Sequence, residues 1–181
     1  MRDIEGIEKV VESFKPHWSA IEAHFNKENE RFKALMNRDH DVLGQILKCH
    51  LIVEHYLDRF LSTKYPGTNI EEARLTFFQK AKLLPDAGSS ASFVKPGIVR
   101  LNYIRNKFGH SLEACLDPDA LGPIDEVLDV ARHGATFSNT IERIQAFTTI
   151  ACTWLILPPP GLEQVFLDAF SQVRVTIDSM D

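Results

Sequence analysis

Arg105, Asn106 and His110 fall within one short segment whose apolar residues recur at helical spacing. Turned by about 100° per residue, Leu101, Ile104, Phe108, Leu112 and Cys115 make a single stripe, so the segment predicts a helix with that stripe facing inward. His110 then points nearly opposite the stripe, and Asn106 lies one turn before it on the same side. Gly109 leaves room for a close approach, and Arg105 falls at the stripe's edge. An imidazole titrates near neutrality and suits general acid or base work, while a guanidinium suits charge on a phosphate. A carboxamide beside them suits orientation of either group. The same placement also fits ordinary exposed polar side chains.

Glu54 bears on that choice. Leu43, Ile46, Leu47, Leu57 and Leu61 define the apolar stripe of an earlier helix, with His50 and Glu54 in its middle. A carboxylate there is buried, and a buried ionised carboxylate is costly unless it is paired and hydrogen-bonded. The pattern therefore calls for a cation reaching in from another helix, and Arg105 is the candidate. A Glu54–Arg105 or Glu54–His50 pair that only fixes helix packing is the other reading.

The stretch Leu101 to His110, with Arg105 and Asn106 four to five residues before the histidine, resembles the Arg-Asn-x-x-x-His signature of HEPN domains. The stretch Cys49 to Phe60, with Glu54 at its centre, is similar to the earlier helix of that family, which often carries an acidic or polar residue supporting the arginine. The resemblance covers about residues 41–116. It implies a helical bundle and a metal-independent endoribonuclease whose two motifs meet across a homodimer interface. His110 would then act as acid or base on a ribose 2′-hydroxyl and a leaving oxygen. Arg105 would stabilise charge on the scissile phosphate, Asn106 would orient phosphate or imidazole, and Glu54 would support them. The toxin-type variant of the motif has a tyrosine two residues after the histidine, where this chain has Leu112. That departure weighs against a toxin assignment.

Other constellations point less clearly to chemistry. His50, Glu54 and His55 do not have the spacing of the helical zinc-protease motifs. No Gly-rich phosphate loop or nucleophile elbow is present, and no cofactor or metal is expected. The three cysteines, Cys49, Cys115 and Cys152, sit in apolar helical patterns without paired spacing, which argues against a disulfide framework or zinc site. Trp18 and Trp154 read as core anchors, and His17 and His24 as surface residues.

Composition bounds the function further. With 181 residues, 44% hydrophobic and 25% charged, the chain suits one ordinary globular domain. The start of the chain shows no secretory pattern, and the most apolar run, Phe147 to Leu157, falls far short of the roughly 20 residues that span a bilayer. A cytoplasmic protein without a membrane partner is the expectation. A formal net charge of −5 provides no footprint for tight nonspecific duplex binding, though a local RNA contact is compatible with it.

The remaining elements follow from periodicity and punctuation. Residues 1–38 read as a helical arm, with Pro16 ending or kinking its first turn and Lys27, Glu28, Glu30 and Arg31 on a solvated face. Asp39 or Asp41 caps a helix running to about Lys64, before Pro66-Gly67. Glu71 to Leu84 predicts a short helix, and Pro85 to Ser92 a flexible loop. Pro96 suits the first turn of the helix that reaches Cys115. Further helices are predicted from Asp117-Pro118 to about His133, over about Asn139–Leu157, and over Leu162–Ile177, where Val173 to Ile177 is the one ambiguous patch.

The expected fold is thus all-α: an antiparallel, HEPN-like helical bundle in a single domain. The core segment is 41–116, with additional N-terminal helices and C-terminal helices over 118–181. The leading functional expectation is a homodimeric endoribonuclease acting on single-stranded RNA, with a protein partner or antitoxin compatible with it. The alternative is a catalytically inert HEPN-like module serving regulation or interaction in transcription or stress control, which the acidic balance favours.

Overall fold

A computed structural model describes residues 7–36, 41–70, 72–110, 116–156, 158 and 161–171. The described residues form eight α-helices with short 3-10 turns between them, and no β-strand element. None of these helices is long and apolar enough to cross a membrane. Contacts divide the chain into two compact units, 1–39 and 40–181.

The first unit is α1 (Ile7–Phe14), a 3-10 turn over Lys15–His17, and α2 (Trp18–Met36). Pro16 lacks an amide hydrogen and sits at the start of the 3-10 turn, which ends α1 as its ring chemistry requires. Ion pairs one turn apart, Lys15 with Glu12 and Lys33 with Glu30, lie on the surface. Trp18 does not anchor a core: it is 53% exposed, because this succession of helix, turn and helix gives its ring no layer to pack under.

The second unit holds the core. It runs through α3 (Asp41–Lys64), α4 (Phe77–Lys82), α5 (Ser90–His110), a 3-10 turn at Pro118–Ala120, α6 (Pro123–Ala131), α7 (Thr140–Trp154) and α8 (Glu163–Phe170). Helix α3 packs on α5 and α7, α6 packs on the same two, and α4 closes over α3 and α5. The layers meet through residues three and four apart, such as Ile46, Val53, Leu57 and Leu61 of α3 and Val94, Ile98, Leu101 and Ile104 of α5. Ile144, Phe147 and Ala151 of α7 complete the interior. Leu47, expected on the α3 stripe, is 38% exposed because it lies about 100° round the helix from Ile46. Trp154 is half-buried against this core and meets Phe93 and Phe170 edge-on. Cys49 and Cys152 are free thiols, and burial, with Cys49 adding to it, pushes Cys152 up to about 11.

Several boundaries differ from the periodicity, each for a local reason. The short helix begins at Phe77 rather than Glu71. Arg74 takes a left-handed backbone (φ 50°), and Thr76 forms a reciprocal capping box with Gln79. Pro96 lies inside α5 rather than in its first turn, since the helix already starts at Ser90. Small side chains make that possible: Ser90, Ala91 and Ser92 are buried, and Ser90 Oγ donates to the Trp154 carbonyl at 2.9 Å. The loop before α5 is tethered. Lys95, buried at 2% exposure, donates to the Leu84 carbonyl and to Asp86 Oδ1, both at 2.6 Å. Asn139 caps α7 through the Glu142 amide, so that helix starts one residue later than predicted. The predicted extension of α5 through Leu112 to Cys115, and of α8 to Ile177, falls on residues outside those described.

Helix α5 meets α7 tightly at Gly97, where a Cβ would run into the buried Phe147 ring. Gly97→Ala should therefore lower stability by ~1–3 kcal/mol through overpacking, despite alanine's better helix propensity. Thermal unfolding measures it, and a variant melting at or above wild type would contradict this packing.

Candidate functional site

The second half of α5 presents the sequence-predicted residues together, and α3 and α4 lie behind them. Arg105 and Asn106 are half-buried, and His110 is exposed at the last described residue of the helix. Arg105 Nη1 donates to Asn106 Oδ1 at 3.1 Å, which holds the guanidinium along the helix surface. Gly109 lies beside it, and even a Cβ there would stand 3.7 Å from Nη1.

Glu54 does not pair with Arg105. Its Oε1 accepts from Lys80 Nζ at 2.9 Å, and the same ammonium meets Asp58 at 2.8 and 2.9 Å. Glu54 and Asp58 are four residues apart on α3, so both carboxylates rise from one face toward a single cation. Lys80 is carried inward by α4, where Phe77 and Ala81 are its buried companions. It is 8% exposed. Burial pulls its pKa down, but the hydrogen bonds and charges of Asp58 and Glu54 outweigh that, and the ammonium ends above the ordinary lysine value. Sequence reasoning missed Lys80 and Asp58. The available signal was Glu54 and Asp58 one turn apart, with Lys80 on the apolar side of a helix that Phe77 starts.

His50 also lies within this layer, 6% exposed. Its ring stacks on Phe77 with centroids 3.9 Å apart and planes at 26°, and its Nε2 is 3.2 Å from Asn102 Oδ1. Nδ1 is buried and has no hydrogen-bond partner among the described residues. That orphan selects the tautomer: a bare lone pair is tolerated in an apolar layer better than an unpaired N–H. The proton therefore sits on Nε2, which donates to Asn102. Burial holds the His50 pKa below its ordinary 6.5, and Arg105 and Lys80 push the same way, against the Asn102 hydrogen bond and the Glu54 charge. His55, by contrast, is exposed and meets Tyr56 edge-on, so the two histidines of α3 diverge.

The arrangement is therefore two-tiered. A layer in which Glu54 and Asp58 share the Lys80 ammonium, with neutral His50 beside them, underlies an outer strip of Asn102, Arg105, Asn106 and His110. Among the described residues no carboxylate forms an ion pair with Arg105, and no group of three or more His, Cys, Asp or Glu side chains is arranged to hold a metal ion. The fold and site define a class, an all-α bundle with a polar strip on one core helix. No protein-family model, curated protein or solved structure matches the chain.

Two consequences can be measured. Lys80→Met leaves two carboxylates facing each other without their cation, a change that in buried pairs typically costs ~3–5 kcal/mol and here falls toward the lower end, since both carboxylates are about a quarter exposed. Glu54→Gln should cost less, because Asp58 still holds the ammonium. Urea unfolding that ranks the two the other way would contradict the shared pair.

The second consequence is a pH dependence. A histidine whose folded pKa is depressed leaves stability intact above 6.5 and removes it as pH falls below that value, because the unfolded chain takes the proton first. The thermal midpoint should drop as pH is lowered from neutrality through the imidazole range. His50→Gln should flatten that part of the profile, and an unchanged slope would show that His50 is not the group responsible.

Proposed function

We propose that the α5 strip is the half-site of a metal-independent endoribonuclease that acts on single-stranded RNA as a homodimer, as the resemblance to HEPN domains implies. The observation that carries this reading is the pairing pattern around Arg105. Glu54 pairs with Lys80 rather than with Arg105, which among the described residues is hydrogen-bonded to a neutral carboxamide and keeps its positive charge for an anion. A guanidinium in that state, beside an exposed imidazole, is suited to a phosphodiester.

The chemistry balances without a further reactant. A neutral His110 imidazole takes the proton of a ribose 2′-hydroxyl, and the 2′ oxygen forms a bond to phosphorus. The bond from phosphorus to the 5′ oxygen breaks, and that oxygen takes a proton from an imidazolium. The products are a 2′,3′-cyclic phosphate and a 5′-hydroxyl. Arg105 bears the charge that grows on the non-bridging oxygens, and Asn106 keeps the guanidinium in place. One imidazole per strip cannot sit on both sides of the phosphorus at once, which is the reason a second copy of the chain is part of the proposal. DNA lacks the attacking hydroxyl and should resist.

Cleavage of a fluorescent single-stranded RNA in EDTA is the test. Wild type should cut it, and His110→Ala should lose about 10²–10⁴-fold while keeping its fold, the usual worth of a positioned acid or base. Arg105→Ala should also be inactive. Light scattering should give a dimer under assay conditions. A requirement for magnesium, or full activity in a folded His110→Ala protein, would refute the mechanism. The absence of cleavage with every RNA tried would favour an inert regulatory or interaction module.

A further inference from the structure

The two asparagines of the strip commit the same atom. Asn106 Oδ1 accepts from Arg105 Nη1, and Asn102 Oδ1 accepts from His50 Nε2. A carboxamide whose oxygen is engaged presents its NH2 group on the other side, and a guanidinium has donors alone. Among the described residues no acceptor takes the Asn102 or Asn106 NH2 hydrogens. Asn102, Arg105 and Asn106 are thus an array of donors. Asn102 and Asn106 are four residues apart, a rise of about 6 Å, and His110 stands one further step of about 6 Å along the axis. Such an array selects a ligand rich in acceptors that repeats along its length.

The Asn102 orientation is built rather than incidental. His50 is neutral, its ring is held by the Phe77 stack, and its single N–H has Asn102 as its acceptor. Rotating the carboxamide by half a turn would set two donors face to face and leave the buried N–H unsatisfied. A polar pair between α3 and α5 also costs desolvation that two apolar residues would not.

We propose that Asn102 is a ligand-binding residue of this site, donating to a phosphate oxygen of the nucleotide next to the scissile one, and that His50 is its positioning residue. This rests on the RNA reading of the strip. It adds a second phosphate contact, one turn toward the N-terminus of α5, and makes a strand longer than one phosphodiester the preferred substrate.

The test uses the full chain and Asn102→Asp. Aspartate keeps an oxygen for His50 and nearly the same shape, but replaces the outward donors with an acceptor. In a His110→Ala background, anisotropy with a short fluorescein-labelled single-stranded RNA should show Asn102→Asp binding about tenfold or more weakly, the scale of one charge-assisted hydrogen bond. Arg132→Gln makes the same unit change in net charge at the C-terminal cap of α6 and should have a much smaller effect. With His110 present, Asn102→Asp should raise KM for RNA cleavage and leave kcat nearly unchanged. His50→Leu should raise KM in the same direction and add little when combined with Asn102→Asp. Thermal melting near wild type for Asn102→Asp would show that the fold is kept. Unaltered RNA binding by Asn102→Asp, or equal weakening by Arg132→Gln, would overturn the Asn102 assignment and leave the nuclease reading standing. Failure of the His110→Ala protein itself to bind this RNA would overturn the RNA reading and this inference with it.

Discussion

Lys80 sits between two carboxylates that rise one turn apart from α3, and the rest of the site is arranged around that shared ammonium. An isolated charge in this layer would be several kcal/mol too expensive, so the cation and both anions must be placed together or not at all. Their pairing draws α4 down onto α3 and brings Phe77, at the start of α4, against the ring of His50. It also decides the state of Arg105. Had Glu54 been satisfied by that guanidinium, the strip would be electrically quiet. With Lys80 in the role, the guanidinium keeps its charge at the surface.

Helix α5 has to be held firmly if its second half is to project a strip with useful geometry. Three anchors act on its first half. Ser90 ties it to the end of α7, Lys95 gathers the preceding loop through two carbonyls and Asp86, and Gly97 lets the α7 ring of Phe147 approach the helix backbone. Each anchor lies at least five residues before Asn102. The buried residues Leu101 and Ile104 then carry the orientation forward, so that Asn102 and Arg105 lie at the edge of the buried face and His110 is exposed beyond it.

Several polar groups of this unit are bound where they enter the packed layers. Arg143 of α7 meets Asp125 of α6 through two nitrogens, and Thr148 returns its hydroxyl to the Ile144 carbonyl. The Nδ1 of His50, like Ser92 Oγ and Arg100 Nε, is buried without a hydrogen-bond partner among the described residues. Its physical sense is the tautomer it enforces, since the orphan lone pair puts the one ring hydrogen on the side of Asn102.

The all-helical fold, the span of α3, the ends at Pro16 and Asn139, and the common face of Asn106 and His110 were legible in the sequence. All of these are set by neighbours within about one turn: a 3.6-residue period, a side chain that caps the next amide, a proline that cannot donate. The start of α4 and the interior position of Pro96 were harder to read, because a left-handed Arg74 and a row of buried small residues depend on what the segment packs against. The exposure of Trp18 belongs with these, since periodicity marks an apolar face without saying whether anything covers it. The partner of Glu54 was not legible at all. Periodicity showed that a carboxylate at that place needs a cation, but several cations satisfy the requirement, and which one arrives depends on which helix lies across the interface. Tertiary packing delivered Lys80, 26 residues away in the chain, and so left Arg105 to the surface. The same holds for His50 and Asn102, 52 residues apart, whose hydrogen bond exists because α3 and α5 are packed side by side.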